Sequence, residues 1–352
     1  MKLENLETPA LIVDLDVLES NMAAMSRLLE GTGMGLRPHY KSHRCPAIAH
    51  RQIAAGAKGM TCAKLAEAKD LALSGIEDIL IANQVTDPAK VARLASLAKC
   101  CRLSVCVDNG KNVRQLQEAA GVQNAMIHCL VEYEVGMNRC GVDTPQAVLA
   151  LARQIMSCPN LRFDGIQAYA GNLAHEEDQA KRREQSDVVE NRLRELKAYL
   201  EGHEVPVREI SGTSTGTVEM RRKDSVYTEV QAGSYLFMDM AYRAVGAGFS
   251  HSLFVLASVI SRRPGAVITD AGVKSVSVDQ RPPAFQGYED VPVEMSEEHS
   301  AIYGDFPLAV GDKLRMIPSH CCTTVNLHNW LYLVRGDKVV DRVPVVSRGR
   351  SL

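Results

Sequence analysis

The stretch Gly35-Leu36-Arg37-Pro38-His39-Tyr40-Lys41-Ser42-His43 begins as a short apolar-led strand and runs into a lysine. Neighbouring basic and imidazole groups, together with desolvation, lower the cost of removing the proton from such an amine. Once neutral, the amine is a nucleophile that condenses with aldehydes. The ordinary alternative is a solvated surface lysine, because lysine is seldom buried without a function. The remainder of the sequence decides between these two interpretations of Lys41.

Short β-type runs like this one alternate with amphipathic segments rich in alanine and leucine over roughly the first 243 residues. Strands are predicted at 35–40, 59–62, 78–82, 103–107, 125–131, 163–168, 208–211 and 227–231. Helices are predicted at 46–55, 64–73, 88–97, 109–120, 145–156 and 176–200. This alternation is typical of parallel βαβ units, and eight such units close a barrel. The sequence therefore predicts an α/β fold, a TIM-type (β/α)8 barrel, with one surplus strand at 10–15.

The pattern changes after about residue 243, where strand-like runs are separated by Gly, Pro and Asp turns and no long helical period appears. The runs lie at 253–261, 266–269, 291–295, 313–317, 330–335 and 338–345. They predict a C-terminal all-β domain, in which Gly336-Asp337 forms a hairpin turn. We expect three parts: an N-terminal strand within residues 1–15 that associates with the β-domain, the barrel at 16–243, and the β-domain at 244–352.

Length, charge and cysteine content limit the classes of protein to which this chain can belong. A chain of 352 residues is long enough for one large domain and a smaller one. The formal net charge of −2, with 23% charged residues, leaves no basic face for nucleic acid. Acidic residues occupy the place of a signal-peptide core, and no window approaches the roughly 18 apolar residues of a membrane span. Ten scattered cysteines then indicate reduced thiols. We expect a cytoplasmic protein that acts on small molecules, with no nucleic-acid or membrane partner.

Polar residues follow several of the predicted barrel strands. In a parallel barrel, reactive groups lie where the strands end at their carboxyl edge. The candidates are Lys41, with His39 and His43, after the first strand, Arg139 after the fifth, Tyr169 and His175 after the sixth, the run Ser211-Gly212-Thr213-Ser214-Thr215-Gly216-Thr217 after the seventh, and Gly233, Ser234 and Tyr235 after the eighth.

The run 211–217 has the composition of an anion cradle, because glycines let backbone N–H groups converge and hydroxyls add further donors. An ordinary Gly/Ser/Thr loop is the alternative, since such turns are common. Loops after the seventh and eighth strands are where barrels of this kind most often hold a phosphate. A phosphate at one end and the Lys41 amine at the other suggest pyridoxal phosphate. Ser211, Gly212, Thr213, Thr215, Gly216, Thr217, Gly233, Ser234 and Tyr235 are then candidate cofactor-binding residues.

Arg139 allows two interpretations. It is either a surface arginine paired with Glu132 or Glu134, or a guanidinium that faces the ring nitrogen of the cofactor. Because arginine stays protonated, it would keep that nitrogen unprotonated. The ring would then be a weaker electron sink, and another group would have to stabilise the negative charge formed on bond cleavage.

That group is predicted in the run Pro318-Ser319-His320-Cys321-Cys322. On an extended segment His320 and Cys322 point the same way, and an imidazole with a thiolate suits a borderline-soft divalent ion such as zinc. Two protein ligands leave positions open for substrate oxygens, so the ion can act as a Lewis acid. The alternative is a buried cysteine beside a hydrogen-bonded histidine, because strong zinc signals have four spaced ligands.

Together these residues resemble the metal-activated branch of the alanine-racemase-like pyridoxal-phosphate enzymes of fold type III. That group contains D-threonine aldolase, 3-hydroxy-D-aspartate aldolase and D-serine dehydratase. The resemblance covers nearly the whole chain. It rests on Thr8-Pro9-Ala10-Leu11, Arg37-Pro38-His39 with Lys41 and His43, Gly136-Met137-Asn138-Arg139-Cys140-Gly141, Gln167-Ala168-Tyr169, Gly233-Ser234-Tyr235 and His320-Cys321-Cys322.

The resemblance implies a role for each matching residue. Lys41 is similar to the family's Schiff-base lysine, Arg139 to the arginine facing the pyridine nitrogen, and Tyr169 to the tyrosine beside the cofactor. His320 and Cys322 match the ligands of a divalent metal (Mg, Mn or Zn). His175 falls where the aldolases carry a histidine that acts on the substrate hydroxyl. The resemblance also implies a homodimer, and a first strand that stands outside the barrel.

The implied function is a lyase that cleaves D-3-hydroxy amino acids to glycine and an aldehyde, with His175 and Lys41 as catalytic residues. One departure is Cys322, where D-threonine aldolases often have an aspartate and dehydratases a cysteine. A D-serine or D-3-hydroxyaspartate dehydratase that forms a keto acid and ammonia is therefore the alternative. A non-catalytic pyridoxal-phosphate carrier and a zinc hydrolase are further alternatives. The substrate side chain stays open, since Arg37, Arg243, His39 or His299 could contact a second carboxylate, or none could.

Overall fold

The computed structural model describes residues 1–221 and 223–352. Up to Val230, short strands alternate with helices, as predicted. The strands are β1 (Ala10–Asp14), β2 (Gly35–Leu36), β3 (Met60–Cys62), β4 (Asp78–Ile81), β5 (Arg102–Val107), β6 (Ile127–Glu132), β7 (Leu161–Ala168), β8 (Glu209–Gly212) and β9 (Glu229–Val230). The helices are α1 (Leu15–Leu29), α2 (Pro46–Ala54), α3 (Leu65–Leu73), α4 (Pro88–Leu97), α5 (Gly110–Gln123), α6 (Pro145–Met156) and α7 (Gln179–Gly202).

Helix starts follow directly from capping residues in the sequence. Asp87 accepts a hydrogen bond from the N–H of Lys90 at the start of α4, and Thr144 accepts one from Ala147 at the start of α6. Each cap is followed by a proline at the first helical position, where the missing N–H costs nothing. These two helices therefore begin and end where the sequence predicts. None of the helices in the described residues has the length and apolar character that crossing a membrane requires.

Residues 26–41, 49–233 and 350–352 form one compact unit, called here the barrel unit. Its eight strands are all parallel, in the order β2-β9-β8-β7-β6-β5-β4-β3. A parallel bridge between His39 and Thr61 links the two ends of this order, and the Thr61 N–H donates to the Pro38 carbonyl at 2.9 Å. The predicted TIM-type barrel is thereby confirmed, and its strand interiors are almost fully buried.

Charged side chains fill the amino end of the barrel, since several of them belong to the first residues of strands. The Arg37 side chain is 1% exposed, and its Nε lies 3.0 Å from Glu229 Oε2. Its Nη1 lies 2.7 Å from Asp78 Oδ1. Lys58 also pairs with Glu229, and Arg102 pairs with Asp78. Because these ion pairs hold Arg37 at the end opposite the strand carboxyl ends, it does not meet a substrate carboxylate there.

Residues 1–25, 42–48 and 234–349 form the second compact unit, called here the sheet unit. It contains α8 (Met240–Ala244), β10 (Leu253–Arg263), β11 (Ala266–Thr269), β12 (Ala284–Phe285), β13 (Val293–Met295), β14 (Ser300–Tyr303), β15 (Lys313–Ile317), α9 (Cys321–Val325), β16 (Trp330–Arg335) and β17 (Lys338–Pro344). The main path of its sheet runs β13-β14-β11-β10-β1-β16-β17, while β15 pairs with β10 and β12.

This sheet is mixed, because β1 is antiparallel to β10 and parallel to β16. Buried apolar side chains of β1, β10, β15 and β16 pack into one cluster, which includes Ile12, Phe254, Ile317 and Val334. The predicted hairpin turn is present, since Arg335 pairs with Lys338 across Gly336-Asp337. The compact units are discontinuous in sequence, and the domain limits 1–15, 16–243 and 244–352 stay a prediction.

The extended conformation predicted for residues 320–322 is wrong. His320 itself is extended, with φ −144° and ψ 122°, but helix α9 begins at Cys321. The turn starts there because the buried Asp239 carboxylate accepts the Cys321 N–H at 2.9 Å, and a carboxylate satisfies an unpaired N–H group at a helix start. His320 and Cys322 are therefore arranged around the first turn of a helix and not along one face of a strand.

Candidate active site

A cavity of about 170 Å³ lies within the barrel unit. The lining side chains that matter here are His39, Lys41, Arg139, Gln167, Tyr169 and Gln231. They come from β7 and from the segments that follow β2, β6, β7 and β9, so they gather at the carboxyl end of the barrel. Three predicted site residues, Lys41, Arg139 and Tyr169, are thus brought together although they are far apart in the sequence.

The amine of Lys41 and the guanidinium of Arg139 both lie near the ring of Tyr169. The Nζ atom of Lys41 is 5.8 Å from the centroid of that ring, and the Cζ atom of Arg139 is 6.0 Å from the same centroid. Both distances are within the range of a cation–π attraction. Lys41 stands in a single 3-10 turn at Tyr40–Ser42, and its N–H lies 3.4 Å from Nδ1 of His39. The amine and the guanidinium therefore face the same aromatic ring in one cavity.

The loop that carries Arg139 is built around the carboxylate of Glu134. Glu134 Oε1 accepts the N–H groups of Gly136 at 2.7 Å and Asn138 at 2.9 Å. Gly136 and Asn138 both have positive φ, which glycine and asparagine tolerate best. Although partial burial raises the pKa of Glu134, these hydrogen bonds lower it overall. The Glu134 carboxylate is thus hydrogen-bonded to the backbone of its own loop.

Glu132 is the other carboxylate that could have paired with Arg139. Its Oε2 accepts the amide of Gln84 at 2.6 Å, and burial raises its pKa although the Arg139 charge opposes that shift. Within the described residues, neither Glu132 nor Glu134 lies in an ion pair with Arg139. The surface ion pair considered as an alternative for Arg139 is therefore absent from this part of the chain.

The Ser/Thr/Gly run begins at the end of β8. Thr213 has φ 66°, and its Oγ1 atom is buried without a hydrogen-bond partner among the described residues. Thr217 Oγ1 accepts the N–H of Ser214 at 3.0 Å, which closes the turn around Thr215 and Gly216. A Cβ at Gly216 would lie 2.1 Å from the Ala174 carbonyl, so this glycine is needed for backbone packing. The unpartnered Thr213 hydroxyl fits a site that a phosphate would complete.

Ser211 and Gly212 are placed differently from the rest of this run. The Ser211 hydroxyl is fully buried and accepts the Gln231 amide at 2.6 Å. Gln231 also donates to Gln167 Oε1 at 2.7 Å. A Cβ at Gly212 would lie 2.1 Å from the Ala168 carbonyl. Gln167 and Gln231 were missed as site residues, although polar side chains at the ends of two buried strands could have indicated them.

The remaining barrel residues of interest are His175 and Gly233. His175 is half-buried, shortly after a single 3-10 turn at Gly171–Leu173. In the part of the chain that the structure describes, it is not among the residues that line the 170 Å³ cavity. Gly233 directly follows the buried segment that contains Gln231.

Ser234 and Tyr235 belong to the sheet unit, in a 3-10 turn at Ser234–Leu236. The Tyr235 side chain is buried against Phe249, with ring centroids 5.5 Å apart. Ser234 Oγ lies 3.9 Å from Cys322 Sγ, and Ser42 Oγ lies 3.8 Å from the same sulfur. Two hydroxyls therefore surround the Cys322 thiol.

His320 is held by a carboxylate that the sequence did not indicate. Its Nδ1 lies 3.0 Å from Asp279 Oδ2. Burial lowers the pKa of His320, but hydrogen bonds with Cys322 and Asp279 raise it overall to about 10. Among the described residues no group of three His, Cys, Asp or Glu side chains could hold a metal ion. An imidazole and a thiol in contact nevertheless fit a two-ligand site with open positions, and an ion bound there would displace a proton from the ring.

Comparison with known proteins assigns the family. Residues 13–241 match the model of the alanine racemase N-terminal domain, and residues 252–334 match the model of a serine dehydratase domain. The chain is 40% identical to the D-threonine aldolase of Arthrobacter sp., over 99% of this chain and 94% of that protein. The chain belongs to the D-threonine aldolase and 3-hydroxy-D-aspartate aldolase family. This membership implies pyridoxal phosphate as the cofactor, which the cavity residues fit.

Other members of the family support the same assignment. A 3-hydroxy-D-aspartate aldolase of Paracoccus denitrificans (strain Pd 1222) is 37% identical, over 98% of this chain and 93% of that protein. The crystal structure of D-threonine aldolase from Filomicrobium marinum superposes with a TM-score of 0.95 at 35% identity, covering 100% of this chain and 98% of that one. The D-threo-3-hydroxyaspartate dehydratase of Delftia sp. (strain HT23) is more distant, at 30% identity over 91% of this chain and 92% of that protein.

Proposed function

We propose that this protein is a lyase that cleaves D-3-hydroxy amino acids of the D-threonine or 3-hydroxy-D-aspartate type to glycine and an aldehyde, with pyridoxal phosphate and a divalent metal ion. The observation that carries the proposal is the convergence of Lys41 and Arg139 on Tyr169 in a barrel cavity. The aldolase relatives are closer than the dehydratase relative, which favours carbon–carbon cleavage over loss of water.

Lys41 and Arg139 are proposed to have different roles toward the cofactor in the barrel cavity. When bound, pyridoxal phosphate supplies an electron sink for the pair of electrons released by bond cleavage. Lys41 offers the amine that would hold the cofactor covalently. Arg139 stays protonated and would not transfer a proton to the ring nitrogen of the cofactor, so the ring would stay a weak electron sink. Thr213 supplies a hydroxyl for the phosphate.

His175 is proposed as the general base. Breaking the bond between Cα and Cβ of the substrate requires removal of the proton from the 3-hydroxyl, and histidine is suited to accept a proton near neutral pH. His175 is half-buried and follows β7, the strand that precedes Tyr169, and this supports the proposal.

His320 and Cys322 are proposed to hold the metal ion, which can be Mg²⁺, Mn²⁺ or Zn²⁺. When bound, the ion supplies a Lewis acid for substrate oxygens. An imidazole with a thiolate is a ligand pair that favours zinc, whereas oxygen ligands favour magnesium and manganese. Because Arg139 weakens the ring as a sink, we expect the reaction to depend on the metal.

We also propose a homodimer in the cytoplasm, with the domain limits 1–15, 16–243 and 244–352. The ten cysteines are all free thiols, which is typical of a reducing compartment. Light scattering of the purified protein, coupled to size exclusion, will test the dimer. A mass of about 77 kDa, twice that of one chain of 38.5 kDa, is expected.

The test of the activity is product identification. The purified enzyme is incubated with D-threonine, D-3-hydroxyaspartate and D-serine, with metal and after chelation. We expect glycine and an aldehyde from one of the first two substrates, and loss of this activity on chelation. Ammonia and a keto acid instead would establish the dehydratase alternative, which Cys322 favours. Full aldolase activity after chelation would refute the metal role.

A further inference from the structure

The loop between β11 and β12 is fixed against the start of α9 by hydrogen bonds from residues 277–280. The N–H of Gln280 donates to Ser319 Oγ at 3.0 Å. The Ser277 hydroxyl donates to the carbonyl of His320 at 2.9 Å, and the Ser277 N–H donates to Thr324 Oγ1 at 3.1 Å. Ser319 and Thr324 are fully buried. None of these three bonds involves the side chain of Asp279.

Asp279 stands in the middle of this loop and uses both of its carboxylate oxygens. Oδ2 lies 3.0 Å from Nδ1 of His320, and Oδ1 accepts the hydroxyl of Thr323 at 2.7 Å. Thr323 belongs to α9, the helix that His320 precedes. Because an ionised carboxylate only accepts hydrogen bonds, Nδ1 carries the hydrogen, and the nitrogen left to bind an ion is Nε2.

We propose that Asp279 is a positioning residue for the metal ion, which fixes the His320 imidazole in the tautomer and orientation that present Nε2, while Thr323 fixes Asp279. The proposal rests on the proposed function, because it presupposes that His320 and Cys322 hold the ion. Histidines that bind metals commonly donate their second ring nitrogen to a carboxylate, and loss of that carboxylate costs about 10- to 100-fold in metal affinity.

A purely structural role for Asp279 makes a different prediction. Its side chain is 43% exposed, and the hydrogen bonds of Ser277 and Gln280 remain when the carboxylate is removed. If Asp279 only tied the loop to α9, its loss would lower the stability of the metal-free protein and leave the metal affinity of the folded protein unchanged. If it positions His320, the metal affinity of the folded protein falls, whether or not the metal-free stability changes.

The experiment is a Co²⁺ titration of the whole chain. Pyridoxal phosphate stays bound, and the metal is first removed with a chelator. Cobalt bound to the Cys322 thiolate gives a charge-transfer absorption band that reports occupancy independently of activity. The variants are Asp279→Ala, Asp279→Asn and Thr323→Val. Asp305→Asn is the matched control, since Asp305 is an exposed aspartate of the same unit. Melting temperatures of all metal-free proteins are measured in parallel.

Asp279→Ala is expected to weaken Co²⁺ binding by about 10- to 100-fold. Asp279→Asn is expected to weaken Co²⁺ binding less, because the amide oxygen still accepts a hydrogen bond from Nδ1 but carries no charge. Thr323→Val is expected to have the smallest effect of the three. Asp305→Asn should bind Co²⁺ as the wild type does and should melt at the same temperature. If Asp279→Ala fails to fold, the Co²⁺ affinities of Asp279→Asn and Thr323→Val, each compared with wild type, decide whether Asp279 positions His320.

Equal Co²⁺ affinity in wild type and in the Asp279 variants would overturn the positioning role and leave the proposed function standing. A wild-type protein that shows no thiolate band with Co²⁺ and keeps its aldolase activity after chelation would overturn the metal role itself, and the positioning role with it. A lower melting temperature of the metal-free Asp279 variants with unchanged affinity would establish the structural role.

Discussion

The Nζ atom of Lys41 lies 5.8 Å from the ring centroid of Tyr169. This places the amine over an aromatic ring in the cavity where the cofactor is proposed to bind. We predict that Lys41→Ala abolishes covalent attachment of pyridoxal phosphate, because Lys41 is the only lysine among the described residues that line the cavity. Borohydride reduction followed by peptide mass spectrometry will measure it. Lys41→Arg is the control that keeps the charge and equally fails to attach the cofactor. Attachment in either variant would show that another residue carries the cofactor.

The sequence was sufficient to predict that Lys41, Arg139 and Tyr169 lie together at one end of the barrel. Lys41, Arg139 and Tyr169 follow three different predicted strands, and the strands of a closed parallel barrel end at one face. That single geometric rule gathers residues that lie between 30 and 128 positions apart. The alternation of short apolar runs with helices predicted the eight parallel strands, and the change of pattern after about residue 243 predicted a separate β-rich part; both were confirmed.

The contacts that depend on loop packing could not be predicted. Asp279 meets His320 across 41 positions through a loop with no regular period, and no local pattern signals that approach. Arg37 was a candidate for binding a second carboxylate, yet its partners are Asp78 and Glu229, which lie 41 and 192 positions away. The extended conformation expected at 320–322 failed because the tertiary contact of Asp239 with the Cys321 N–H starts a helix there.

His175 should matter for turnover and not for cofactor binding. We predict that His175→Asn lowers kcat by about 10²- to 10⁴-fold, the usual range for a general base, with cofactor absorbance unchanged. Steady-state kinetics with D-threonine and spectra of the bound cofactor will measure both quantities. The control is His203→Asn, since His203 is an exposed residue at the end of α7. A kcat within about threefold of wild type would assign the base to another group.

The metal preference should follow the residue at position 322. We predict that Cys322→Asp shifts the activity ratio towards Mn²⁺ over Zn²⁺ by on the order of tenfold, because a carboxylate is a harder ligand than a thiolate. Activity of the chelated enzyme after addition of each metal measures the ratio. Cys322→Ser is the control, because it removes the thiolate without adding a carboxylate. An unchanged ratio in Cys322→Asp would contradict a direct ligand role for Cys322.

The ion pairs at the amino end of the barrel should be needed for stability. We predict that Arg37→Met lowers the free energy of unfolding by about 3–5 kcal/mol, because the fully buried Glu229 keeps its charge and loses its nearest buried partner. Urea denaturation followed by circular dichroism will measure the change. The double variant Arg37→Met with Glu229→Gln should recover part of the loss, since it removes both charges. A double variant less stable than Arg37→Met alone would contradict the pairing.

Acid should destabilise the same end of the barrel through Asp164. Burial raises the pKa of this carboxyl, but a hydrogen bond from His128 lowers it overall, with help from the charges of Arg102 and Arg162. A carboxyl whose pKa is lower in the folded chain than in the unfolded chain stabilises the fold above the unfolded value, and that contribution is lost as the pH falls through the folded value. The free energy of unfolding of the wild type should therefore decline below about pH 4.

The free energy of unfolding of Asp164→Asn should be lower than that of the wild type at pH 7 and should decline less steeply in acid. The control is Glu118→Gln, at an exposed position on α5, which should keep the wild-type slope. An Asp164→Asn curve that runs parallel to the wild type in acid would mean that other carboxyls control the acid sensitivity.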